Sequence, residues 1–141
     1  MKTAHTTLAA LLLFVTLSAE KCTKSTAMDT SILGSRWNLE TLAGKPYQLP
    51  DGVEKPYIQV AADGALSGFN GCNRLMGSVK ADGDAVEFPG LGSTKKMCPA
   101  AQEVERSFMD ALRNTKHYHI KGDQLTLEGD AGALATLTKG K

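Results

Sequence analysis

The stretch LSGFNGCNRLMGSV, Leu66 to Val79, sets a cysteine between Gly71 and Asn73 with Arg74 directly behind it. It reads as strand, with Cys72 on it. Gly68, Gly71 and Gly77 mark places where backbones approach closely or the strand bulges. A cysteine in that company has four chemical readings: a nucleophile, a metal ligand, part of a nucleic-acid-facing loop, or half of a disulfide. The rest of the chain decides among them.

Outward from this stretch, short strands alternate with turns. On the N-terminal side, YIQVAADGALSGFNG carries strand residues on both sides of Asp63-Gly64, a type I′ hairpin signal. On the C-terminal side, GSVKADGDAVEF repeats the device at Asp82-Gly83. Earlier, RWNLETL (Arg36 to Leu42) alternates Trp37 and Leu39 with polar neighbours, the period of a half-buried strand. Later, HYHIKGDQLTLEGDAGALATLT holds three strands, turning at Gly122-Asp123 and between Gly129 and Gly132. Strands spaced so regularly predict an antiparallel sheet curled into a sandwich or barrel.

One segment breaks this pattern. In CPAAQEVERSFMDALRNT, Pro99 stands as a first-turn residue, and Ala101, Val104, Phe108, Ala111 and Leu112 recur at helical spacing. Acids lie early and Arg113 late, as the helix dipole favours. This predicts one amphipathic helix, Pro99 to Arg113, with its apolar face against the sheet. LAGKPYQLPDGVEKP (Leu42 to Pro56) is the long proline-rich connection, read as a loop and as the candidate mobile segment or lid.

The 141 residues amount to one domain, and 42% hydrophobic with 22% charged residues is ordinary for a soluble globular fold. The N-terminus reads differently. A start bearing Lys2 precedes an apolar run, Leu8 to Ala19. The run is well short of the roughly 20 residues that span a bilayer. With small residues Ser18-Ala19 at its end, it reads as a secretory signal peptide over residues 1–19. Residues 20–31 read as a flexible polar tether. Cleavage after Ala19 frees a soluble protein; alternatively Cys22 is the lipid-bearing first residue of a lipoprotein, although Lys21 before it matches that motif poorly.

Removing residues 1–19 takes Lys2 and no acid, leaving 15 basic and 15 acidic side chains. A nucleic-acid binder shows a clustered basic surplus. Here the densest basic spot is STKK, Ser93 to Lys96, which reads as a solvated turn or strand end. Nucleic acid is therefore set aside.

As a nucleophile, Cys72 needs a base such as His117 or His119 and an orienting group, and no cysteine-protease signature or nucleophile elbow accompanies it. As a metal ligand, it would join Cys98, His117 and His119. The two histidines share one strand face, but Tyr118 and Ile120 look like the buried face, which sends both histidines to solvent. The phosphate-binding loop is missing its lysine and its strand-to-helix context. A Cys72–Cys98 disulfide fits best, because an exported chain enters an oxidising compartment. Closing a loop of about 27 residues contributes about 3.5 kcal/mol in the chain-entropy model. The rival is a pair of adjacent reduced thiols. Arg74 has two readings: a guanidinium tying strands together through a carboxylate or carbonyls, or one projecting from the barrel mouth toward an anionic ligand.

SRWNLETLAGKP, LSGFNGCNRLMGSV, LGSTKKMCPAAQEVERSFMDAL and GDQLTL follow one another in this chain. This order resembles the META domain, also called the HslJ-like domain, of bacterial envelope proteins. The resemblance runs from Ile32 to Thr138 and is most specific at Gly-Cys-Asn-Arg (71–74) and Thr-Lys-Lys-Met-Cys (94–98). Leu75 and Met76 stand where many members carry aromatics, which bears on core packing. The resemblance implies a small, incompletely closed β-barrel with one helix against it, like lipoproteins that pilot secretin subunits. It implies links to heat shock, novobiocin resistance, and virulence or secretion in parasites. Cys72, Cys98, Asn73 and Arg74 match family signature positions; the family supplies no catalytic residues to carry over.

The reading is thus mainly β (α+β): an incompletely closed antiparallel β-barrel with one amphipathic helix, over residues 32–138. The chain is expected to be a monomeric, non-enzymatic protein of the periplasm or envelope, without cofactor or transmembrane segment. Its partner is a protein segment or a small apolar ligand, because a cracked barrel offers an unpaired strand edge and an apolar interior. The alternative is a thiol- or metal-dependent enzyme using Cys72, Cys98, His117 and His119.

Overall fold

Runs of alternating side chains, cut by glycine-containing turns, give the sheet its form. The computed structural model describes residues 31–141. The candidate signal peptide, Cys22 and nearly all of the tether lie outside the described residues. The strands are β1 (Ser35–Leu42), β2 (Lys45–Pro46), β3 (Tyr57–Val60), β4 (Ala65–Phe69), β5 (Arg74–Ser78), β6 (Lys80–Asp82), β7 (Ala85–Glu87) and β8 (Gly92–Ser93). A 3₁₀ turn, Pro99–Ala101, leads into helix α1 (Gln102–Asn114). β9 (His117–Lys121), β10 (Gln124–Gly129) and β11 (Gly132–Lys139) complete the chain.

All strands join one antiparallel sheet in the order β6-β7-β9-β10-β11-β1-β3-β4-β5-β8, with β2 hanging on β1. The sheet curls into a half-barrel. Its two terminal strands, β6 and β8, form no ladder with each other among the described residues, so the barrel stays open there. The chain itself crosses this opening at Val79, between β5 and β6.

Period-two alternation fills the inside. Leu39 faces Leu137, Leu137 faces Leu125 and Leu125 faces Ile120, a row running across β1, β11, β10 and β9. A second row runs Trp37, Ile58, Gly68, Leu75 across β1, β3, β4 and β5. Trp37, Leu39, Ile58, Leu125 and Leu137 are all 0% exposed, and the Trp37 indole donates to the Ile32 carbonyl at 3.0 Å. Gly68 leaves its place in the row open for a reason: a Cβ there would run into the Tyr57 backbone oxygen. Helix α1 packs against β10, β11 and β1 through Val104, Phe108, Met109, Ala111 and Leu112. Four of these are among the apolar positions expected at helical spacing. Glu103 and Glu105 lie in its first turn and Arg113 in its last.

The turns differ in detail from expectation. The Asp63-Gly64 hairpin is a four-residue loop, Ala61 to Gly64, closed by Gly64 N donating to Ala61 O (3.0 Å) and Ala61 N to Ala65 O (2.9 Å). The Asp63 carboxylate accepts the Ala65 N–H at 3.0 Å, and only Gly64 takes a left-handed φ, +86°. A type I′ turn needs two such residues in succession. Between β6 and β7 the two-residue loop is Gly83-Asp84, with positive φ (+60°) at Gly83 alone, the sign pattern of type II′. The successive pair of positive φ values falls instead at Ala43 (+48°) and Gly44 (+73°), between Leu42 and Lys45. So the expected loop from Leu42 to Pro56 begins with a small hairpin.

Candidate functional site

Cys72 is not on a strand; it sits in the β4–β5 connection, residues 70–73. The cause is Asn70. Its backbone N–H donates to Asn73 O (3.0 Å), and its Oδ1 accepts the N–H of Cys72 (3.1 Å) and of Asn73 (2.7 Å). A side chain that takes two backbone donors just ahead of it folds the chain into a turn. Gly71 sits there with φ +100°.

Asn73 then does the joining. It is 2% exposed, and its amide spends its full capacity of two donors and two lone pairs. Oδ1 accepts from the Lys96 N–H (2.6 Å) and the Thr94 hydroxyl (2.8 Å). Nδ2 donates to the Lys96 carbonyl (3.0 Å) and to Glu105 Oε1 (2.8 Å), which reaches back from the first turn of α1. Arg74 N donates to Thr94 Oγ1 and Thr94 N to Arg74 O, each at 3.1 Å. The Cys72–Cys98 disulfide, with Cα atoms 5.8 Å apart, adds a covalent tie. Residues 94–98 are thus held on the β4–β5 turn by an amide, a hydroxyl and a disulfide. The sequence singled out Asn73 and both cysteines. It missed Asn70, which is 0% exposed, and Glu105. The Asn-x-x-Asn spacing of a side-chain-capped turn was the available signal for Asn70.

Arg74 takes neither part of this clamp with its side chain. The guanidinium is exposed and makes no ion pair or hydrogen bond among the described residues, so it does not tie strands together. It lines a concavity of about 670 Å³ on the outer face of β3, β4 and β5, with Glu54, Tyr57, Phe69, Cys72 and Lys96. A second concavity of about 370 Å³ shares Glu54, Phe69, Cys72 and Lys96 with it and continues over the disulfide to Cys98 and Pro99. Arg36 stacks on the Tyr57 ring at 3.5 Å and pairs with Glu54 at 2.9 Å, closing one rim.

A groove of about 610 Å³ lies elsewhere, between α1 and the β1–β2 hairpin, walled by Leu42, Pro46, Tyr47, Val104, Ala111 and Leu134. The Tyr47 hydroxyl donates to the Leu39 carbonyl at 2.9 Å. Burial first, and then the Glu40 charge, raise its pKa above the usual tyrosine value. Among the described residues the barrel interior is lined by Trp37, Phe108, Leu39 and their neighbours, all at or near zero exposure. The apolar binding space expected inside the barrel is occupied by the chain's own side chains. The expected free edge is also small. β6 is three residues carrying Lys80 and Asp82, and β8 is two residues long, which blunts strand addition.

His117 and His119 point outward from β9, as their alternation with Tyr118 and Ile120 predicts. His117 Nδ1 lies 3.6 Å from Asp84 and His119 Nε2 3.3 Å from Glu128. β9 is separated from the β4–β5 turn by β10, β11, β1 and β3, and both cysteines are engaged in the disulfide. The four residues of the enzymatic alternative are therefore not assembled. Among the described residues no group of three His, Cys, Asp or Glu side chains is placed to hold a metal ion.

Three solved structures share the architecture. One, determined by NMR, is 26% identical, with a TM-score of 0.59 over 74% of this chain and 87% of that one. An NMR structure of a protein from Burkholderia xenovorans is 25% identical, with a TM-score of 0.62 over 76% of this chain and 82% of that one. A crystal structure of a DUF4847 family protein from Bacteroides vulgatus is 20% identical, with a TM-score of 0.54 over 76% and 93% of the respective chains, and shows likeness of fold alone. A search of curated proteins finds no match. The META domain family model matches residues 30–141, spanning the whole described half-barrel with its clamp, and the chain belongs to the META domain family.

Proposed function

We propose that this chain is a non-catalytic protein of the cell envelope that binds a segment of another protein on the outer face of its half-barrel. The observation that carries this reading is Arg74. It is a signature position left exposed and without a partner on a concavity whose walls are held by the Asn73 clamp and the disulfide. Rigid walls lower the cost of ordering a site on binding. The filled interior favours an outer surface over an internal ligand. Export to the periplasm or envelope is supported by the disulfide, which persists in oxidising compartments. Among the described residues no helix is long and apolar enough to cross a membrane. A part in stress or drug tolerance, or in secretion, is what the family resemblance adds.

The test is photo-crosslinking in cells from a residue that lines the concavity, Ser67, with a control at His119 on β9. A discrete adduct from position 67 and none from position 119 is the expected result. Equal labelling from both positions, or none from 67, would overturn the reading.

A further inference from the structure

We infer that Arg74 and Lys96 act together as a rigidly presented pair of cations that receives a carboxylate of an acidic, partly apolar peptide segment. This inference rests on the proposed binding surface and names its partner's chemistry.

Arg74 has its N–H bound to the Thr94 hydroxyl and its carbonyl bound to the Thr94 N–H. Lys96 has its N–H and carbonyl both bound to the Asn73 amide. Two cationic residues on separate segments are thereby fixed at their backbones, and both side chains line one concavity. Only side-chain freedom is left to lose on binding, which lowers the cost of association.

Two cations, Arg36 and Lys55, already have carboxylates: Arg36 holds Glu54 at 2.9 Å, and Lys55 lies 3.6 Å from Glu40. Arg74 and Lys96 have none among the described residues. Glu54, the acid on the same rim, is already paired with Arg36. The concavity therefore presents net positive charge. A guanidinium takes a carboxylate bidentately, and an ammonium adds a second, less directional contact.

Apolar surface beside the cations separates a peptide from other anions. The large exposed hydrophobic side chains of the described chain are Met76, 53% exposed, and Met97, 85% exposed. Met76 lies on the same face of β5 as Arg74, and Met97 follows Lys96 in the chain, although neither lines the concavity itself. Tyr57 and Phe69 are cross-strand partners on the same outer face, and Phe69 is paired with Arg74. Half-buried rings beside the two cations, with exposed thioethers at neighbouring chain positions, suit an acidic residue flanked by apolar ones. A nucleic acid asks instead for a basic surplus tracking a phosphate backbone. This chain has 16 basic and 15 acidic side chains.

The test is selection of random displayed peptides on the oxidised protein, counter-selected on the R74A/K96A protein. These substitutions touch exposed side chains and leave every backbone tie in place. Selected peptides should carry Asp or Glu beside Leu, Phe or Met, and should lose about tenfold or more in affinity on R74A. They should also weaken as salt rises and block the Ser67 crosslink. Neutral or basic peptides that still block that crosslink would overturn the inference while leaving the binding surface standing. Acidic peptides indifferent to Arg74 and Lys96, or no enrichment over the R74A/K96A protein, would overturn it too. So would vesicles of anionic lipid that bind in an Arg74-dependent way and displace the selected peptides, because the surface would then belong to a membrane.

Discussion

Asn73 imitates a neighbouring strand for Lys96: one side-chain amide takes the Lys96 N–H at 2.6 Å and gives an N–H to the Lys96 carbonyl at 3.0 Å. The same amide holds Glu105 of α1, so the β4–β5 turn, the 94–98 segment and the helix meet on one buried residue. Truncation would leave the partly buried Lys96 N–H and carbonyl and the Glu105 carboxylate without these partners, up to about 1–3 kcal/mol for each group left unsatisfied. Asn73→Ala should therefore lower stability by about 3 kcal/mol, read as a shift in urea midpoint at unchanged slope. Asn73→Asp should be at least as damaging, because a carboxylate there faces both Glu105 and the Lys96 carbonyl oxygen.

The disulfide closes the same region covalently across a sequence separation of 26 residues. Paired replacement of Cys72 and Cys98 by alanine should cost about 2–4 kcal/mol. The Asn73 and Thr94 contacts remain in that variant, so it should still fold. Circular dichroism and urea unfolding, with and without reductant, check this: reductant should shift the wild-type midpoint and leave the variant's unmoved.

Gly68 is where two strands need backbone space. Gly68→Ala places a methyl against the Tyr57 carbonyl, a backbone atom that cannot swing away. A loss of about 2–3 kcal/mol is expected from such overpacking. Gly83 is a useful contrast, since a methyl there meets nothing within 4 Å and only the positive φ of +60° resists it. Gly83→Ala should cost about 1 kcal/mol. Equal midpoint shifts for the two variants would contradict the packing argument.

Tyr47 gives a pH dependence with a definite sign. Its hydroxyl is neutral when protonated, and burial together with Glu40 raises its pKa in the folded chain above the usual 10.0. The unfolded chain therefore releases this proton first. The stabilising contribution is complete below pH 10 and is lost as pH rises through the raised folded value. Tyr47→Phe should cost about 1 kcal/mol at neutral pH through loss of the bond to Leu39. The gap between the two proteins should narrow above pH 10 in alkaline urea titrations.

Much of this architecture was legible before any coordinates. Trp37 and Leu39 announced β1 by alternation. Val104, Phe108, Ala111 and Leu112 announced the buried face of α1 by helical spacing. Both signals are local and survive whatever packs against them. The turns were less legible, because Asp-Gly marks a reversal without fixing how many residues form it. The Asp63 carboxylate chose a four-residue loop by capping Ala65 N, a choice made by one hydrogen bond. The neighbours of Cys72 are strand formers and point to a strand there; Asn70 overrides them by taking two backbone donors. The pairing of Asn73 with Lys96 and Glu105 joins residues far apart in sequence, and no periodicity reports such contacts. The barrel's filled interior likewise depends on how Trp37 and Phe108 meet across the fold.

In the proposed reading two adjacent signature residues have separate roles: Asn73 builds the platform and Arg74 meets the partner. The most direct test measures thermal unfolding and the Ser67 crosslink together in Arg74→Ala and in wild type. An unchanged melting temperature is expected, since the exposed guanidinium makes no ion pair or hydrogen bond among the described residues, together with loss of the adduct. A lowered melting temperature with the adduct retained would show that Arg74 is structural and that binding lies elsewhere.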